Sequence, residues 1–241
     1  MIKLIGIAGV KNSGKDTVAS MLSYIYTVGV ASAKFSEWQE RKDIVNKSKT
    51  IHFADPLKDV LSMIFDIPRQ YFNDRLHKDE TYYCSDTRKF CTYADCCRLG
   101  YVFIDNKVMT VNGIDYLLDK NNRYAVKLRE LMQFFGTDIG REMLGKNIWI
   151  NAAKIRIENI LKFTNYMCLV PDVRFENEAK TIQELGGRVV YIERTTDTND
   201  THESEDIDFA CNYIIINNNT LMALFYKVLI FYRDVIINEM K

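Results

Sequence analysis

The chain carries no net charge: Lys and Arg number 32, and Asp and Glu number 32. That balance excludes bulk attraction to a nucleic-acid polymer or a membrane surface, although local basic clusters stay open. No apolar run approaches the roughly 18 residues that a membrane span requires. The first apolar pattern starts at Ile2. It leaves no room for a secretory signal, so a soluble cytoplasmic protein is expected. Internal repeats and low-complexity runs are missing as well. The cysteines lack the doubled spacing of a zinc site: Cys84, Cys91, Cys96 and Cys97 cluster, Cys96 and Cys97 are adjacent, and His77 is the only histidine nearby. Reduced thiols in a reducing compartment are the expectation, with zinc the alternative.

What is present is more telling. At 241 residues the chain has the length of one α/β domain with insertions, enough for a substantial core. Residues 9–17 read Gly-Val-Lys-Asn-Ser-Gly-Lys-Asp-Thr, directly after the apolar Leu4-Ile5-Gly6-Ile7-Ala8. A helical pattern follows at once. Strand, glycine-bounded turn and helix N-terminus aim backbone N–H groups at one small volume, which is the design of a phosphate-binding loop. Gly9 lets the chain turn, Gly14 lets backbone approach phosphate closely, and Lys15 can reach β- and γ-phosphate oxygens. Lys11, Asn12 and Ser13 complete the loop. Lys11 is either a second cation for the phosphates or a solvated loop lysine. Asp16 stands where the general pattern Gly-x₄-Gly-Lys-[Ser/Thr] has a magnesium-holding hydroxyl. A carboxylate is a hard ligand for Mg²⁺; capping the helix is the alternative. Thr17 then offers its hydroxyl to an α- or β-phosphate.

Further along, the pattern alternates strands with helices. Strands are expected at 2–8, 50–54, 166–170, 188–192 and 213–216. Helices are expected at 15–27, 55–64, 124–135, 149–163, 175–185 and 220–238. Asp55-Pro56 opens its helix with a cap and a first-turn proline, and Gly136 is expected to close 124–135. Pro171-Asp172 is expected to close the strand at 166–170. Residues 29–49 read as a connection or an insertion. Residues 66–122 read as an inserted lid or substrate region, with a hairpin across 101–111 turning at Asp105-Asn106. The sum is a single domain, residues 1–241, with a parallel sheet and helices on both faces.

An ordered set of short motifs resembles a known family, the deoxynucleoside monophosphate kinases of tailed bacteriophages and related viruses. The matching pieces are the loop 9–17 with its Asp16, then Ala54-Asp55-Pro56-Leu57-Lys58-Asp59 and Arg129-Glu130-Leu131-Met132-Gln133. Gly136-Thr137-Asp138 and Trp149 follow, then Val170-Pro171-Asp172-Val173-Arg174 with Glu178, Arg194, and Thr201-His202-x-x-Glu205. The resemblance runs end to end and is weakest at 29–49 and 66–122. It implies a P-loop fold of the nucleoside-monophosphate-kinase type. It implies transfer of the γ-phosphoryl group of ATP to a deoxynucleoside 5′-monophosphate with Mg²⁺, as a step of DNA precursor synthesis in the host cytoplasm. A homodimer is open.

Phosphoryl transfer asks a protein for positioning and charge stabilisation more than covalent work. Lys15 is the expected cation at the β,γ bridge. Arg129 and Arg174 are expected to hold the acceptor phosphate, because a guanidinium fork matches phosphate oxygens. By spacing alone Arg129 is an ordinary helix-face arginine, and the resemblance promotes it. Arg174 follows a buried strand, where ligands bind in open α/β sheets. Asp172 is expected to hold Mg²⁺, to orient Arg174 or to cap a helix, and Glu178 to pair with Arg174 or meet the sugar. Asp55, Lys58, Gln133, Thr137, Asp138 and Trp149 are substrate-binding candidates, Trp149 by stacking on a base or else as a core residue. Arg123, Arg141 and Arg194 are reserve cations. Two alternatives remain: a P-loop kinase for another phosphorylated acceptor, such as dephospho-coenzyme A or phosphomevalonate, and a nucleotide-binding module without transfer.

Overall fold

The computed structural model describes residues 2–40, 46–65, 67–79, 81–84, 90–92, 107–111, 114–118, 124–195 and 209–237. They fall into two compact units, Met1–Phe53 with Ile150–Lys241, and Ala54–Trp149. Among the described residues no helix is long and apolar enough to cross a membrane.

The first unit is built on a five-stranded, all-parallel sheet. Its strands are β1 (Leu4–Ala8), β2 (Ser48–Thr50), β8 (Met167–Val173), β9 (Arg188–Glu193) and β10 (Tyr213–Ile216), in the order β10-β9-β1-β8-β2. β1 lies at the centre and is buried along its whole length. Ile5 and Ile7 point to one face, into a core with α1 (Lys15–Val28) and α8 (Leu221–Phe231). Leu4 and Ala8 point to the other, with α6 (Ile148–Phe163) and α7 (Glu176–Glu184). A strand covered on both faces must be apolar at every position, which is why this one reads as an unbroken run. Each fully buried aliphatic side chain there contributes about 1.5–3 kcal/mol. Gly6 is the necessary gap, since a Cβ would come within 2.5 Å of Ile182 Cδ1. α1 buries Val18, Leu22 and Ile25 at helical spacing and stops at Gly29, whose φ is 83°. Between α1 and β2, where a connection or an insertion is expected, lie a 3₁₀ turn (Val30–Ser32) and α2 (Phe35–Glu40).

The second unit contains α3 (Asp55–Phe65), α4 (Arg75–Asp79) and α5 (Leu128–Gln133). It also holds an antiparallel sheet in the order β4-β3-β7-β6-β5. Those strands are β3 (Thr81–Cys84), β4 (Phe90–Thr92), β5 (Lys107–Val111), β6 (Ile114–Leu118) and β7 (Tyr124–Lys127). Leu57, Leu61, Ile67, Phe72, Leu128 and Leu131 form its core. The Asp105-Asn106 turn, Cys96, Cys97, Arg123, His202 and Glu205 lie outside the described residues, as do the side chains of Cys84 and Cys91. Lys107–Val111 pair with Ile114–Leu118, Val111 opposite Ile114. The two residues between them are Asn112-Gly113, the strongest short hairpin signal.

Four expected boundaries are corrected. The helix expected at 124–135 starts at Leu128, because Tyr124–Lys127 pair with β3 and with Leu117 and Leu118 of β6. Cross-strand pairing overrides local helix pattern there. Gly136 does not end that helix. The chain continues through Phe134–Leu144 with a wider winding, closed by Gly145 N–H donating to Gly140 O at 3.0 Å. Pro171-Asp172 do not end β8, which runs to Val173 across an irregularity in its pairing with β1. Proline lacks a ladder donor and is tolerated at such a bulge. The strand expected at 50–54 is Ser48–Thr50. Ile51 N–H still reaches Leu169 O, but Phe53 N–H donates to the Asp172 carboxylate at 3.3 Å instead of to a backbone carbonyl.

Candidate active site

Backbone geometry builds the loop between β1 and α1. Gly9 has φ 148°, Asn12 63° and Gly14 99°, three left-handed positions in six residues. At Gly9 a side chain is also excluded by space: a Cβ would lie 2.6 Å from Ser13 Oγ and 2.7 Å from Ile192 O. Such alternation turns successive N–H groups toward a common concavity, the kind that binds anions. Ser13 N–H closes the turn on Val10 O at 3.2 Å, and Val18 N–H begins the helix on Gly14 O. The helix N-terminus adds its partial positive charge to the same place.

The side chains fit an oxyanion guest. Lys15 Nζ donates to Gly9 O at 2.6 Å and Val10 O at 2.7 Å, so its ammonium lies back over its own loop. Among the described residues Ser13 Oγ is a buried polar atom with no hydrogen-bond partner. A native structure pairs such atoms almost always. Lys11, Asn12 and Asp16 are exposed, and Thr17 is half-buried in the first turn of α1.

Strand register decides what stands beside this loop. Ala8 pairs with Val173, so Gly9 and Arg174 leave neighbouring strands side by side at the carboxyl edge of the sheet. Arg174 is exposed. Glu178, almost fully buried, accepts from the backbone N–H groups of Arg174 at 2.8 Å and Phe175 at 3.2 Å. It therefore caps α7 and holds the backbone of Arg174. Asp172 ties β8 to the end of β2 through Phe53.

The remaining candidates belong to the second unit. Asp55 accepts from Arg69 Nη2 at 2.7 Å and lies 3.6 Å from the buried Lys58 ammonium. Lys58 also donates to Asn73 at 3.0 Å, and Arg69 pairs with Asp59. Asp55 and Lys58 thus belong to an internal charge network centred on Arg69, a residue no motif singled out. Trp149 donates its indole N–H to Gly136 O at 2.9 Å and packs against the core of this unit. Arg129, Gln133 and Thr137 are exposed, on α5 and the first turn of the helix after it, and Asp138 is half-buried.

Two residues grip the loop from outside: Asn217, which sequence reasoning missed, and Arg194, expected only as a reserve cation. Asn217, just past β10, donates its side-chain amide to Ser13 O at 2.8 Å. Arg194, just past β9, reaches Asn12 O at 3.3 Å. For Asn217 a run of three asparagines at 217–219 is the only hint, and it reads equally well as a turn.

A buried parallel strand that delivers a glycine-bounded loop to a helix N-terminus, with basic and acidic side chains on the next strand's end, defines a P-loop α/β protein of the nucleoside-monophosphate-kinase type. The chain belongs to the deoxynucleotide monophosphate kinase family, whose family model matches residues 79–228. It is 28% identical over 239 residues to a protein of Acanthamoeba polyphaga mimivirus provisionally named a deoxynucleotide monophosphate kinase, with 94% of each chain covered. It is 25% identical over 262 residues to the deoxynucleotide monophosphate kinase of Enterobacteria phage T4, covering 94% of this chain and 97% of that one. To the deoxynucleoside-5′-monophosphate kinase of Escherichia phage T5 it is 21% identical over 199 residues, covering 76% and 73%.

Proposed function

We propose that this chain transfers the γ-phosphoryl group of ATP to a deoxynucleoside 5′-monophosphate, giving the diphosphate and ADP. Family membership supports the reaction. The observation that carries the site assignment is the loop itself: left-handed Gly9, Asn12 and Gly14, an unpartnered Ser13 hydroxyl and a lysine folded over them.

In this reading the loop amides and the Ser13 hydroxyl hold the triphosphate tail. Phosphate oxygens replace the Gly9 and Val10 carbonyls as acceptors for Lys15, which neutralises charge as the bond from γ-phosphorus to the bridging oxygen breaks. An acceptor phosphate oxygen forms the new bond. Arg174 and Arg129 serve as the guanidinium forks that let one polyanion approach another. Glu178 sets the direction in which the chain leaves β8, and so where Arg174 starts. Magnesium binds through one or two carboxylates plus substrate phosphates, and Asp16 and Asp172 are the residues that would hold it. When bound it supplies charge neutralisation on the phosphates. Gln133, Thr137 and Asp138 serve as substrate contacts, and Asp55 and Lys58 act through the Arg69 network.

The test is ADP release from Mg-ATP with each deoxynucleoside and ribonucleoside monophosphate in turn. Turnover with deoxy acceptors is expected; turnover only with an unrelated phosphorylated acceptor, or none at all, would overturn the reading. Lys15→Ala is expected to lose about 10²–10³ in rate, on the scale of other preorganised charge-stabilising donors, with its melting temperature unchanged. A variant as active as the parent would remove Lys15 from the mechanism.

A further inference from the structure

The geometry points to Asn217 as a positioning residue that sets the orientation of the phosphate loop. It is buried, and two bonds fix it. Its backbone N–H donates to Glu193 O at 2.7 Å, tying it to the end of β9, and its side-chain N–H donates to Ser13 O at 2.8 Å. The register supports this placement: Ile216 pairs with Glu193, so Asn217 leaves β10 level with the residues that leave β9.

The consequence follows from peptide planarity. The Ser13 carbonyl and the Gly14 N–H belong to one rigid plane and point in opposite directions. Holding the carbonyl outward on Asn217 turns the Gly14 N–H inward, toward the concavity where phosphate oxygens would lie. Gly14 sits at φ 99° and ψ 20°, a left-handed position with no side chain to restrain it. A glycine there populates many orientations at little energetic difference, so the restraint must come from outside. Asn217 is close enough to supply it, because a Cβ on Gly14 would lie 2.7 Å from Asn217 Nδ2. The neighbouring peptide is held similarly: Arg194 Nη1 reaches the Asn12 carbonyl at 3.3 Å. Two successive loop carbonyls are thus drawn outward by side chains from the ends of β9 and β10. Asn217 is the buried one of the two and the shorter bond. A neutral amide suits this place, since a carboxylate would set one acceptor against another. Asn217 touches no reacting atom in this account; it acts through Gly14 and Lys15, whose backbone N–H groups begin α1.

The inference rests on the reading of residues 9–17 as the donor phosphate site. The experiment measures ADP affinity by titration calorimetry on the full chain, with KM for ATP and for a deoxynucleotide acceptor, in Asn217→Ala and Asn217→Asp. Both variants are expected to weaken ADP by about tenfold, a change of one decade in Kd. KM for ATP should rise with it, and KM for the acceptor should stay within about twofold. Asn217→Asp should recover ADP affinity as pH falls, because a protonated carboxyl can again donate to the Ser13 carbonyl; Asn217→Ala should not recover. ADP affinity unchanged in Asn217→Ala, both KM values rising together, or two variants that do not fold would each overturn the assignment. ADP binding that depends on Asn217 in a protein inert toward every deoxynucleoside monophosphate would uphold it and overturn the proposed reaction instead.

Discussion

At the scale of single residues, Glu178 changes its reading and Cys168 offers a test of burial. The i,i+4 spacing of Arg174 and Glu178 suggests a surface ion pair, a contact worth only about 0.3–0.5 kcal/mol. The carboxylate instead takes two backbone N–H groups at the start of α7 and is buried there. Glu178→Ala leaves both donors without this acceptor, so a loss of about 1–3 kcal/mol is expected. Urea unfolding followed by circular dichroism measures it; a loss below half a unit would mean that water replaces the carboxylate. Cys168 is the second case. It lies in β8 with no exposed surface, and burial pushes its thiol up to about 12. A thiolate is the nucleophile in alkylation, so iodoacetamide at pH 8 should leave the Cys168 peptide unmodified in native protein and modify it in urea. Mass spectrometry of the digested protein reads this directly.

At the scale of elements, the helix from Leu128 through Leu144 illustrates how glycine can mark packing instead of an end. Gly136 and Gly140 are both buried on it. A methyl group at Gly136 would meet Leu57 Cδ2 at 3.0 Å, and one at Gly140 would run into the indole of Trp149. Gly140→Ala is therefore expected to destabilise the protein by about 1–3 kcal/mol, as overpacking of a filled interior does, although alanine has the higher helix propensity. Thermal unfolding checks the sign. A stabilised variant would show that the indole moves aside at no cost. The charge network on α3 makes a parallel case: Asp55→Asn should lower stability, because Lys58 is buried and loses its nearby carboxylate.

For the whole molecule, two buried acids give stability a pH dependence on the alkaline side. Cys168 is raised by burial from 9.0 to about 12. Tyr232 is raised from 10.0 to about 12, first by burial and then by the neighbouring Tyr26. Unfolded chain releases each proton near the ordinary value, whereas folded chain keeps it. Between about pH 9 and 12 the folded state binds more protons, so stability falls as pH rises, by up to about 1.4 kcal/mol per pH unit for each group. Below pH 9 neither group contributes a slope. Chemical denaturation at steps from pH 8 to 11 should trace this decline, and Cys168→Ala should flatten its first part. An unchanged profile in that variant would place the titration elsewhere.

Local pattern by itself determined a good deal. β1 and its loop were legible because a strand buried on both faces has to be apolar throughout, and a phosphate cradle needs glycine at fixed intervals before a helix. The helices at 15–28 and 148–163 were legible because one apolar face at helical spacing has few other uses. Tertiary structure alone decided where pairing overrides that pattern: Tyr124–Lys127 became a strand because β3 and β6 offered partners, and β8 ran past Pro171 because its neighbours carried the ladder across the bulge. It also decided which polar side chains serve backbone. Glu178, Asp172 and Asn217 each satisfy an amide or carbonyl belonging to a segment distant in the chain or to a helix end. A sequence records the donor or acceptor a residue carries. Only the folded chain says which buried group, tens or hundreds of residues away, is left needing it.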